Sequence, residues 1–133
     1  MGHRPILHAA LAYWAAIFAL GFALGTVRTL WLAPALGELA AVALELPVML
    51  GASAWAAHRL TRRHAIAAPG PALAMGALAF ALLLAAELAL AWALGRSAGE
   101  WLASLGEAPG LLGLAGQVVF ALIPLAMRPR GSW

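Results

Sequence analysis

The stretch that decides the fold is LAAVALELPVMLGASAWAA, residues 39–57, an apolar run in which Glu45 is the only charged residue. About 20 consecutive apolar residues in an α-helix are enough to cross the hydrocarbon core of a bilayer. Pro47, two residues after Glu45, lacks the N–H group that a helix interior uses. A carboxylate and a helix breaker at one depth of a membrane helix are both costly, so this stretch predicts a transmembrane helix with partners for Glu45.

The composition of the whole chain is that of a membrane protein. Of its 133 residues, 65% are hydrophobic and 10% are charged, whereas soluble domains are about 45–50% apolar and about 25% charged. So few polar residues cannot cover a water-facing surface. The chain has no Cys, which excludes disulfides, iron–sulfur clusters and thiol catalysis. Its length predicts a single domain, residues 1–133.

Four apolar segments are long enough to span a bilayer, with approximate bounds 5–31, 36–57, 71–94 and 109–127. The predicted fold is therefore all-α, a polytopic membrane protein with four transmembrane helices in an antiparallel bundle. The first segment is too long for the core of a signal peptide and no small-x-small cleavage site follows it, so we expect it to remain as an anchor. Pro34 is expected in a tight turn of about four residues between the first two spans.

The distribution of arginine predicts the orientation. Arginines on one side of the predicted bundle are Arg4, Arg59, Arg62, Arg63, Arg128 and Arg130. The other side has Arg28 and Arg96 together with three glutamates. The positive-inside rule therefore places both termini and the basic loop 58–70 in the cytoplasm, with loop 95–108 outside. Trp31 and Trp92 are expected near the outer interface and Trp55 near the inner one.

Five polar residues are predicted to form a column that descends from the outer end of the bundle. At 1.5 Å per residue, Glu45 lies about 14 Å into the second span, close to the midplane. The other members of the predicted column are Arg28, Glu38, Glu87 and Gln117. An ionised residue at the centre of a membrane helix costs about 2.5–3.5 kcal/mol. We therefore expect the column to be internal, with the acids buried, paired with Arg28 or protonated.

Prolines and glycines mark predicted irregularities and close helix contacts. Pro47 and Pro124 each remove one helical hydrogen bond, which frees the carbonyls of Ala43 and Phe120. Small residues let membrane helices approach closely. The candidates for such contacts are Gly21, Gly25, Gly110, Gly113 and Gly116.

Signals for other chemistry are missing. The sequence has no nucleophile–base pair, P-loop or dinucleotide motif, so an enzyme is not predicted. The histidines lack the spacing of metal ligands, so no metal and no cofactor is predicted. The expected partner is the lipid bilayer, with anionic lipid at Arg59, Arg62 and Arg63 and a homo-oligomer as further candidates, and no nucleic acid.

The segments GTVR (25–28), PALGE (34–38) and ELPVM (45–49) resemble small, uncharacterised four-helix inner-membrane proteins of proteobacteria. The resemblance implies the topology and a bacterial inner membrane, and it implies no activity. Size and helix count are also similar to those of the small multidrug resistance transporters. Those proteins have their key Glu in the first helix, whereas the first span here has no acid.

Two functions follow from the polar column. In the first, the protein is a small proton- or cation-linked transporter or channel, with Glu45 and Glu87 as ion-handling groups and Arg28 as their counter-charge. In the alternative, it is a non-catalytic accessory or assembly protein in which the same residues specify how the helices pack.

Overall fold

The structure, a computed structural model, describes residues 3–129, and all the regular structure in this part of the chain is helical. Four of its helices are long and apolar enough to cross a membrane. The predicted all-helical class and the four apolar spans are thereby confirmed. Arg130, one of the arginines used to predict the orientation, lies outside the described residues.

The helices have the following bounds. Helix α1 is His3–Val27, and a π-helical turn, Arg28–Leu32, connects it to the short helix α2, Ala33–Leu36. The second and third long helices are α3, Glu38–Arg63, and α4, Pro69–Ala93. The last two are the short helix α5, Ala98–Ser104, and the long helix α6, Ala108–Met127.

The first hairpin turns more sharply than predicted. Helical structure continues through the π-helical turn and α2, so the first span ends at Leu36 and not near Trp31. Pro34 lies in the first turn of α2, where its missing N–H costs little, and not in a loop. The chain reverses at Gly37 alone, whose φ of +90° is a conformation that only glycine adopts without strain.

The two other connections are also more helical than predicted. Helix α3 includes Arg59, Arg62 and Arg63, so that only residues 64–68 connect it to α4. The predicted outer loop contains α5, which begins with a capping box. The Glu100 N–H donates to the Ser97 hydroxyl at 3.0 Å, and the Ser97 N–H donates to the Glu100 carboxylate at 2.8 Å. These hydrogen bonds with Ser97 lower the pKa of Glu100 below its ordinary value.

The long helices form a ring in the order α1, α3, α6, α4. The consecutive helices α3 and α4 therefore face each other across the bundle, as α1 and α6 do. Successive long helices run in opposite directions, so the neighbours α3 and α6 run parallel, as do α1 and α4. We call the two ends of the bundle the α5 end, where Gly37 and α5 lie, and the basic end, where residues 64–68 lie.

The half of the bundle at the basic end is closely packed. Its core consists mainly of alanine and a few larger side chains, with Tyr13 and Met75 fully buried. Helix α4 touches α6 at Gly76, where an added Cβ would lie 1.8 Å from the carbonyl oxygen of Ala121. The glycines that were predicted to form close helix contacts do not include Gly76. One of those predicted, Gly116, lies against the side chain of Leu46.

Tyr13 bridges the diagonal of the ring. Its hydroxyl donates to the carbonyl of Phe120 at 2.7 Å, and its ring stacks on the Phe120 ring with centroids 4.3 Å apart. Pro124 has no N–H with which to bond this carbonyl within α6. The carbonyl that Pro124 was predicted to free is therefore bonded by a side chain from the opposite helix. Pro47, by contrast, lies on an exposed face of α3, which continues through it.

We expect Gly76→Ala to destabilise the fold, because the added methyl group has no room beside the Ala121 carbonyl. Overpacking of this kind costs about 1–3 kcal/mol. The matched control is Gly51→Ala, where an added Cβ meets nothing within 4 Å and helix propensity predicts a gain of about 0.5–1 kcal/mol. The free energy of unfolding in detergent measures both effects. Equal stability of the two variants would contradict the close approach of α4 and α6.

We expect Tyr13→Phe to cost about 1–3 kcal/mol of unfolding free energy, because it leaves the buried Phe120 carbonyl without a donor. In a Pro124→Ala background the restored N–H can bond that carbonyl, so the same change should cost less. A double-mutant cycle measures the difference. The assignment is wrong if Tyr13→Phe has the same cost in both backgrounds.

Candidate functional site

A partly open cavity of about 1070 Å³ lies between the long helices toward the α5 end. All the residues of the predicted polar column line it, namely Arg28, Glu38, Glu45, Glu87 and Gln117. The structure therefore brings side chains from α3, α4, α6 and the π-helical turn to one cavity. They do not form a single network within it, and two separate groups can be distinguished.

The first group is an ion-pair group made by Arg28 and two carboxylates of α3. The Nε of Arg28 donates to Glu45 at 2.7 Å, and its Nη1 donates to Glu38 at 3.1 Å. Glu45 and Arg28 are largely buried, with 17% and 25% of their side chains exposed, whereas Glu38 is 57% exposed. The Glu45 pair is therefore the one shielded from water, and the Glu38 pair is a surface contact of small energy.

Local structure explains how one arginine reaches both carboxylates. Glu38 and Glu45 are seven residues apart on α3, so they lie two turns apart on one face of the helix. Arg28 is the first residue of the π-helical turn, which packs against α3 just before the chain reverses at Gly37. The arginine thus joins the two helices of the first hairpin by side-chain contacts close to their connection.

The second group, on the opposite pair of helices, is an amide and a carboxylate. The Nε2 of Gln117 on α6 donates a short hydrogen bond to Glu87 on α4. Among the described side chains, residues 4–129, no arginine or histidine lies within ion-pair distance of Glu87. The other amide atom of Gln117, Oε1, is buried and has no hydrogen-bond partner among the described residues. Buried amide oxygens are seldom left unpaired, so this oxygen stands out.

The cavity is acidic although the chain is basic. The formal charge of the chain is +3, yet four of its five glutamates line the cavity, against two of its eight arginines. These lining residues are Glu38, Glu45, Glu87, Glu107, Arg28 and Arg96. A concave site with an excess of one charge and low-dielectric walls concentrates ions of the opposite charge. The cavity is thus suited to cations.

Ser53, Leu83 and Phe120 line the end of the cavity that faces the core. Ser53 is buried and its hydroxyl donates to the Met49 carbonyl. Phe120 is the residue that Tyr13 stacks on and bonds, so the packed core begins directly behind this floor. The cavity therefore ends within the bundle and does not cross it.

Sequence reasoning missed the mouth of the cavity. Arg96, Trp101 and Glu107 line it, although the sequence indicates only that this connection lies at the surface. The sequence pattern that could have predicted their position is the capping box Ser97-x-x-Glu100, which predicts the start of a helix. A helix at this point places Trp101 and Ser104 at the cavity, with the Ser104 carbonyl close to Gly110 of α6.

The basic end offers a different chemistry. Arg62 donates to the carbonyls of His58 and Met127, and Arg59 lies over the ring of Trp55 at 5.5 Å. Partial desolvation, with Arg63 nearby, lowers the pKa of His64 below its ordinary value. In the described part of the chain, no group of three or more His, Cys, Asp or Glu residues is placed to hold a metal ion.

Comparisons with known proteins give no relatives for this chain. No protein-family model, no curated protein and no solved structure matches it.

We expect the cavity to contain water, which single cysteines can test because the natural chain has none. Gly113 lines the cavity with open space around an added Cβ, whereas Ala115, two residues later, is exposed but does not line it. In lipid nanodiscs, a hydrophilic methanethiosulfonate should modify Gly113→Cys about tenfold or more faster than Ala115→Cys, because thiols in apolar surroundings do not ionise. Equally slow modification of both cysteines would show that the cavity is dry.

Proposed function

We propose that the chain is a multi-pass protein of a bacterial inner membrane and acts as a small proton- or cation-linked transporter or channel. In this proposal both termini are cytoplasmic and the cavity opens to the outside. Support for the orientation comes from the basic end, where Arg4, Arg59, Arg62, Arg63 and Arg128 are found, as the positive-inside rule requires of the cytoplasmic side. Trp31 and Trp92 are strongly exposed near helix ends, and Trp55 is strongly exposed eight residues before the end of α3, in keeping with aromatic belts at both interfaces.

The observation that carries the proposal is the acidic cavity. Acids in membrane helices mark ion or proton pathways when they face an internal space and not lipid. Here Glu45 and Glu87 both face a space large enough for water or a small solute, and acids predominate in its lining.

The geometry divides the roles among the polar residues. Glu87 is the ion-handling group, because an amide bonds it and no fixed cation competes for its charge. Gln117 positions that carboxylate. Glu45 is held by Arg28 and serves mainly to neutralise it, so we assign the pair to the walls of the pathway. Glu38 is the most exposed of the three acids and meets an incoming cation first.

Transport in this proposal requires the floor to open. Phe120 separates the cavity from the core, and its carbonyl is held by Tyr13 and not by α6 itself. This hydrogen bond joins two helices that face each other across the ring, so it can break without unwinding either of them. The segment of α6 around Pro124 is therefore the place where a path to the basic end would form.

A second candidate function is that of an accessory or assembly protein. It is favoured by the ion-pair group, in which Arg28 satisfies both Glu38 and Glu45 and joins α1 to α3. In that case the group fixes helix packing and moves no ion. Neither candidate uses catalytic chemistry, and both leave room for a homo-oligomer and for anionic lipid at Arg59, Arg62 and Arg63.

We expect Glu87→Gln to lower proton or cation flux into proteoliposomes by about tenfold or more, because it removes the charge of the ion-handling group. The matched control is Glu100→Gln, which removes a carboxylate that does not line the cavity and keeps an amide able to complete the capping box. Glu45→Gln should mainly lower thermal stability, because it leaves Arg28 with the exposed Glu38 alone.

The two candidate functions differ in outcome. Flux that depends on Glu87 supports the transporter or channel. Absence of flux from the folded wild-type protein, together with loss of stability or of partner association in Glu45→Gln, supports the accessory protein and contradicts the transporter.

A further inference from the structure

We infer that Glu87 and Gln117 recognise a protonated primary amine, whose hydrocarbon part lies against the apolar wall of the cavity. The inference rests on the proposed function, because it names the class of cation that the same cavity takes. It is carried by the hydrogen-bonding state of the Gln117 amide and by the chemistry of the side chains around it.

The Gln117 amide is only half satisfied. Its Nε2 donates to the Glu87 carboxylate, while its Oε1 is buried and unpaired among the described residues. Glu87 and the amide oxygen are both acceptors, so the pair as a whole lacks donors. A ligand that donates to both atoms would satisfy both acceptors.

An ammonium group has the N–H donors that these two acceptors lack. In the protein without ligand, the NH₂ of Gln117 occupies the position of a donor beside Glu87. The terminal bond of a glutamine side chain rotates with little preference. When the amide rotates, Oε1 turns toward the cavity, an entering ammonium donates to both Glu87 and Gln117, and Nε2 moves to the position that Oε1 held. In the protein without ligand, the Gln117 amide thus occupies the position beside Glu87 that the ammonium would take.

Metal cations suit the same position poorly. Hard divalent cations take six or more oxygen ligands, and the described side chains place no three His, Cys, Asp or Glu together for a metal. The neighbouring lining includes Leu83, Leu90 and Leu114, which supply no oxygen. Such walls favour a cation that has a hydrocarbon part of its own.

The same pair discriminates between organic cations. A quaternary ammonium has no N–H, so it would leave Gln117 Oε1 unpaired while keeping its attraction to Glu87. A site built to bond a particular donor group rejects analogues that lack it. The predicted order of affinity is therefore primary amine above quaternary amine, with sodium ion weaker than the primary amine.

The test is binding of benzylammonium, benzyltrimethylammonium and sodium ion to the full-length protein in lipid nanodiscs, by calorimetry at constant ionic strength. We expect benzylammonium to bind about tenfold or more tightly than benzyltrimethylammonium in the wild type, because only the former can donate to Gln117. Gln117→Met should abolish this preference, and Glu87→Gln should weaken both organic cations. Glu100→Gln should change neither, since it lies outside the cavity.

The outcome in the wild type decides the inference even if a variant fails to fold. Equal affinity for the two organic cations, or tighter binding of the quaternary one, overturns it. If no amine binds while Glu87-dependent flux of protons or sodium ions persists, the inference fails and the proposed function stands. If Gln117→Met is folded and keeps the preference, the role of the amide oxygen is wrong.

Discussion

The hydrogen bond from Tyr13 to the Phe120 carbonyl is the contact on which the arrangement of this bundle depends. It joins α1 to α6, two helices that face each other across the ring and are otherwise separated by α3 and α4. Pro124 makes the bond necessary, because it removes the N–H that would have used the carbonyl within α6. A buried carbonyl without a donor is costly, so the position of Tyr13 is well determined. On one side of this bond the helices pack closely, and on the other they enclose a cavity.

The cavity shows two different solutions to the cost of a carboxylate in an apolar bundle. Glu45 is neutralised by a permanent cation, Arg28, supplied by the π-helical turn. Glu87 has only the amide of Gln117, which bonds the carboxylate but carries no charge. A carboxylate neutralised by a fixed arginine has little left to offer a ligand, whereas one bonded by a neutral amide has no cation in place and can still pair with one. Glu45 lies seven residues from the start of α3 and Glu87 six residues from the end of α4, so the two acids are at similar distances from the α5 end. Their surroundings nevertheless give them different chemistry.

Much of this arrangement could be predicted from the sequence. The apolar runs predict that the fold is all-helical and has four long helices. Counting residues from the ends of the spans places Arg28, Glu45, Glu87 and Gln117 at similar depths in the bundle. Depth does not determine how each helix is rotated or which helices are neighbours, so the division into two polar groups could not be predicted. The close contact at Gly76 could not be predicted either, because in an alanine-rich chain the sequence does not show which small residue lies against a neighbouring backbone. The sequence also did not predict that helical structure continues through Pro34, because proline occurs both in the first turn of a helix and in turns between helices.

The turn at Gly37 has a mechanical consequence. Because the chain reverses at a single residue, the connection between the first two spans is short. The ion pair of Arg28 with Glu45 holds the same two helices together close to this connection. The α4–α6 pair is also held closely, because backbone meets backbone at Gly76. Tyr13 and Phe120 join a helix of the first pair to a helix of the second. A force that pulled the two pairs apart would load this hydrogen bond together with the contacts of α3 with α6 and of α1 with α4.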